Sequence, residues 1–208
     1  MNRFRGILII LIISLLLSIG FNFKQTKKIN DIENAFYGVS ISNSIINYRT
    51  YSLDHMLSNL ASDEDSSLIR DNSLGKEFLK LSHTYDELFQ YYLTMNSNNV
   101  KVNNDLTDIL QDFSSFFTYL FELNNDEVII ENKELQDDAF EGIQMIAEIV
   151  KDLEEIRSEV YQDKATDHKQ AWEILVVKNE EYVQFTKTQQ NIEQIQQMIK
   201  NWAEKVNP

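Results

Sequence analysis

From residue 72 onward, apolar side chains recur every three or four positions. Leu74, Phe78, Leu81, Tyr85, Leu88, Tyr92 and Met95 form one row, and Leu106, Ile109, Phe113, Phe116, Leu120 and Leu123 form the next. Ala139, Ile143, Ile146, Val150, Leu153, Arg157 and Val160 make a third. The last holds Ala171, Leu175, Tyr182, Phe185, Ile192, Ile195, Ile199, Trp202 and Val206, and its spacing slips near Thr188 and Gln189. An earlier row starts at Ile29 and Ile32 and runs to Leu57 and Leu60, with polar Asn43 and Thr50 set into it. This spacing gathers the apolar positions on one face of an α-helix. Ser62–Ser67, Asn96–Asn99 and Asn124–Asp126 interrupt the rows as polar loops, and Ser73 and Asn103–Asp105 stand where N-caps belong. Short loops between amphipathic helices predict an all-α, antiparallel bundle of four to five long helices. The fifth is counted if the rows ending at Leu123 and starting at Ala139 are separate rods.

Two runs read less clearly. Glu127–Ile130 and Ile174–Val177 are short and β-branched, and the second could pair with Tyr182–Phe185 as a hairpin across Lys178–Glu181. No Asn-Gly or similar turn pair supports it, so helix is the favoured reading. Five glycines, with Pro208 the sole proline, are also few for a sandwich or barrel.

The N-terminal residues follow another pattern. Arg3 and Arg5 precede an uncharged, aliphatic run from Gly6 to Phe21, and Lys24, Lys27 and Lys28 follow it. Such a segment is either a cleavable signal peptide, with Ser18 and Gly20 as the small residues, or a signal anchor. Extended to Phe23 it counts 18 residues, near the lower limit of about 17 for a spanning helix. The anchor is the reading adopted: residues 1–28 as a membrane helix with basic flanks, residues 29–208 as the bundle domain. The leading arginines place the N-terminus in the cytoplasm and the bulk of the chain outside it. Cleavage would instead release a secreted domain.

Charge then narrows the partners. The 208 residues carry a formal net charge of −14, and residues 105–163 hold 17 acidic against three basic side chains. That balance argues against nucleic acid, which demands a basic footprint. Cysteine is absent, which excludes disulfides, thiolate metal ligands and cysteine nucleophiles. The richness in Asn, Ile and Lys points to an AT-rich bacterial genome.

No constellation of reactive side chains emerges. His55, His83 and His168 each lack the glutamate three positions earlier that a helical di-metal site requires. Asp137, Asp138 and Glu141 share a helix face but lack a second acidic motif, and a helix start collects acids anyway. Asp63–Asp65 lacks the alternating ligands and central glycine of a calcium loop. No catalytic, cofactor or metal site is therefore expected. Arg157 invites a carboxylate partner or extends its head to water. The stretch from Phe116 to Phe121 is apolar almost all round its helix. It reads first as the central buried rod. As a partner or ligand surface it would offer Phe116, Phe117, Tyr119 and Phe121. The functional expectation is a non-enzymatic binding or scaffold module that contacts a protein partner or itself. The alternative is an extracytoplasmic sensor that holds a small apolar ligand between helices.

Overall fold

A computed structural model describes residues 14–15, 18–32, 72–97, 101–125, 129, 132–162 and 168–206. Among them there is no strand. Five helices carry the packed domain: α1 (Asn72–Ser97), α2 (Asn104–Asn125), α3 (Lys133–Gln162), α4 (His168–Val183) and α5 (Thr186–Val206). Residues 18–32 are also helical and exposed throughout. No helix among the described residues is long and apolar enough to cross a membrane. Gly6–Phe21 falls largely outside those residues, as do Asn43, Thr50, His55 and Asp63–Asp65.

The apolar rows become the core. Every member of the α1 and α2 rows is buried, and so is every α3 member except Arg157. Arg157 finds its carboxylate on its own helix, with Nε donating to Glu154 Oε2 at 2.8 Å. Asn103 caps α2 as its position predicts, its Oδ1 accepting from the Leu106 amide at 3.0 Å. Asn132 does the same for α3 through the Leu135 amide at 3.3 Å. Ile129, from one of the two β-branched runs, is helical and wholly buried just before that cap.

Cross-helix pairs fix the topology. Phe78 stacks near Phe117 and Tyr85 meets Phe113, so residue numbers fall along α2 as they rise along α1. The Ser82 and Thr118 hydroxyls, 2.7 Å apart, lie on the same antiparallel ladder. Down α3, the pairs Glu159–Lys178, Asp152–Tyr182 and Glu148–Lys187 follow in steady order. Thus α4 and α5 run in one direction, both antiparallel to α3, as a single arm broken at Gln184–Phe185. The bundle has four arms: α1, α2, α3 and the broken arm. The rows of α2 and α3 are separate rods.

The break bears on two readings. Helix, the favoured reading of Ile174–Val177, holds, and the alternative hairpin across Lys178–Glu181 is absent because that stretch lies inside α4. The slip falls at Gln184–Phe185, not at Thr188–Gln189. The Phe185 amide closes a tight turn onto the Tyr182 carbonyl at 3.0 Å, and Gln189 Nε2 donates to the freed Val183 carbonyl at 2.6 Å. Turning the chain there throws Phe185, a member of the expected row, out to 62% exposure and buries Thr188 instead.

Candidate functional site

Phe116 and Phe117 belong to the core. Both are fully buried. Phe117 stacks on Tyr85 with ring centroids 5.8 Å apart, and Phe116 meets Phe117 edge-on at 5.3 Å and Trp202 at 4.9 Å. Together these rings join α1, α2 and α5, and they present no surface. Tyr119 and Phe121 are half-buried at the edge of the same cluster. Tyr119 flanks a shallow, polar depression with Ser114, Ser115, Thr118 and Glu122. Of the four aromatics, then, only Tyr119 and Phe121 reach solvent, and each only in part.

The remaining candidate side chains are not brought together. His83 is exposed on α1 and His168 is half-buried at the start of α4. Asp137 and Glu141 are exposed on α3. Burial raises the Asp138 carboxyl, and the neighbouring Glu134 and Asp137 add to the rise while Lys205 opposes it. No group of three or more histidine or carboxylate side chains among the described residues is arranged to hold a metal ion.

The face that stands out lies on α4. Its inner side is fully used: Ala171, Trp172, Leu175, Val176, Asn179 and Val183 are buried. Trp172 ties the N-terminal end to the α1–α2 connection, with its indole Nε1 donating to the Lys101 carbonyl at 2.8 Å and its ring against Tyr92. At the other end, Tyr182 donates its hydroxyl to Asp152 Oδ2 on α3 at 2.9 Å. Burial pushes the Tyr182 hydroxyl well above the ordinary tyrosine range. The Asp152 hydrogen bond and the charges of Asp152 and Glu148 push the same way, against a hydrogen bond from Thr188. Just past the break, Lys187 pairs with Glu148, and that contact raises the lysine.

So α4 is held at both ends, yet two apolar side chains remain on its outside: Ile174 at 42% and Val177 at 41% exposure. They lie three residues apart, hence on one stripe. Glu173, Glu180 and Glu181 are exposed around them. The signal for this surface was the β-branched run Ile174–Val177 itself. A helix apolar on two sides loses its 3.6-residue contrast and mimics a strand.

No protein-family model, no curated protein and no solved structure matches the chain.

Proposed function

We propose that the chain is a non-enzymatic binding or scaffold module that works through helix–helix contacts, with the outer face of α4 as its contact surface. A single observation carries this reading. A helix whose inner side already fills the core keeps Ile174 and Val177 in water, at a cost that a partner helix would recover. In the same reading the uncharged run Gly6–Phe21, between Arg3, Arg5 and Lys24, anchors the chain in the cell membrane. The basic leading residues leave the bundle on the extracytoplasmic side.

Support for an apolar ligand between the helices is weaker. The rings of Phe116, Phe117 and Trp202 pack on one another. Beside them, Phe116 lies so near Gly142 that a methyl group there would sit 2.4 Å from its ring. That space is filled by the chain itself.

The test is a photo-reactive amino acid at residue 174 of the full-length chain, irradiated in the cells that make it. An adduct of higher mass is expected from 174, and none from the exposed polar residue 194 on α5. Absence of an adduct at 174 contradicts the reading.

A further inference from the structure

Where the apolar N-terminal run ends, the helix does not. Residues 18–32 are helical and exposed, so the backbone passes without a break from Phe21 and Phe23 into Lys24, Lys27 and Lys28. At about 1.5 Å per residue, the three lysines lie roughly 1.5–7.5 Å along the axis beyond Phe23. The polar layer of a bilayer is about 5–7.5 Å deep on each side, from a core of about 30 Å within a whole of 40–45 Å. At about 100° per residue, the lysines share one arc of roughly 100°, with Ile19 and Ile29 on the other side of the helix. Asp31 lies on the lysine arc but about 12 Å beyond Phe23, outside that layer. None of the three lysines forms an ion pair among the described residues.

We propose that Lys24, Lys27 and Lys28 bind the headgroup phosphates of anionic phospholipids in the leaflet on the bundle's side. The inference rests on the reading above, that Gly6–Phe21 anchors the chain in a membrane, and names the lipid met where the anchor leaves it. Depth is the first argument. The unbroken helix carries the ammonium groups at the level of the phosphates, and the flexible lysine stems adjust the rest. Charge is the second. Residues 1–28 hold five basic and no acidic side chains, so the whole negative excess of the chain lies beyond them. An anionic leaflet therefore attracts the lysines and, at close range, repels the bundle, which keeps the acidic helices clear of the surface. A zwitterionic leaflet has an ammonium group beside each phosphate and offers neither effect. An acidic protein segment would have to enter the polar layer, and lose its own hydration, to meet the same lysines. Each lysine close to an anionic surface gains a preference of roughly fivefold, and three act together.

The test reconstitutes the full-length chain in bilayer discs that hold phosphatidylglycerol and phosphatidylcholine in equal amounts, with the same acyl chains. Lipids that stay bound when the chain is released from the disc are weighed by native mass spectrometry. Phosphatidylglycerol is expected to exceed phosphatidylcholine among them by roughly fivefold or more. Lys24→Gln, Lys27→Gln and Lys28→Gln together should remove most of that excess, and the same three positions changed to Arg should keep it. An excess that survives the Gln changes, or that the unmodified chain never shows, overturns the inference. Alkaline carbonate washing of membranes from cells that make the unmodified chain separates the two readings. A chain retained by the wash that holds both lipids equally keeps the anchor and loses the lipid preference. A chain released by the wash, or cut near Phe21, takes the anchor and this inference down together.

Discussion

The ring of Phe116 on α2 occupies the space that a side chain at Gly142 on α3 would fill. A Cβ at residue 142 would lie 2.4 Å from Phe116 Cε2 and 3.2 Å from Met198 Sδ. The ring cannot step aside, because Phe117 and Trp202 hold it. Replacing Gly142 by Ala adds helix propensity worth about 1 kcal/mol, but overpacking a full core costs about 1–3 kcal/mol. Gly142→Ala should therefore lower the midpoint of thermal or urea unfolding. An equal or higher midpoint would show that α2 and α3 sit farther apart than this.

Tyr182 predicts the behaviour at alkaline pH. Its folded pKa stands above the ordinary 10.0, first by burial and then through Asp152. A raised folded pKa stabilises the protein fully below pH 10.0 and loses that contribution as pH climbs through the folded value. Tyr182→Phe should unfold about 1 kcal/mol more easily at neutral pH, through the lost hydrogen bond. Its stability should then fall less steeply above pH 10.0 than that of the unmodified chain. Parallel alkaline limbs would contradict the assignment.

Asp112 gives the opposite outcome near neutrality. Burial raises its carboxyl above the ordinary 3.8; a hydrogen bond from Gln196 at 2.8 Å on α5 pulls it down, and Asp108 adds a smaller rise. The ionised carboxylate is thus disfavoured by folding. Asp112→Asn keeps an acceptor for Gln196 without the charge. It should unfold at a higher temperature than the unmodified chain at pH 7, and that advantage should vanish as pH falls below 3.8. A lower melting temperature at pH 7 would contradict it.

Sequence patterning carried the helices far and the joints poorly. Phe78, Leu81, Phe113 and Leu120 were placed in the core by spacing alone, because three- and four-residue periodicity is a direct image of a buried helix face. The burial of Phe116 and Phe117 follows from their place on the α2 row, whose helix packs against α1, α4 and α5. The break at Gln184–Phe185 was not legible in the same way. It depends on Gln189 reaching back to the Val183 carbonyl, a contact between groups that any glutamine in a helix could also leave in water. The exposed apolar stripe on α4 was half legible. Ile174 and Val177 drew notice as a β-branched run, but only the burial of Trp172, Val176 and Val183 on the other side shows that they face outward.

The membrane anchor has its own test. The uncharged run Gly6–Phe21 motivates it. The full-length chain should remain with membranes after an alkaline carbonate wash. A released form beginning near Phe21 would identify the segment as a cleaved signal peptide.

The account turns on whether the outside of α4 is covered in the working protein. Since the chain has no cysteine, Ile174→Cys and Gln194→Cys each supply a single thiol, one on the proposed contact face and one on the exposed side of α5. Their rates of maleimide labelling are measured in intact membranes and again in dilute, detergent-dispersed protein. The account predicts that the thiol at 174 labels markedly more slowly in membranes than after dispersal, while the thiol at 194 labels at similar rates in both. Equal rates at 174 in the two states would contradict it.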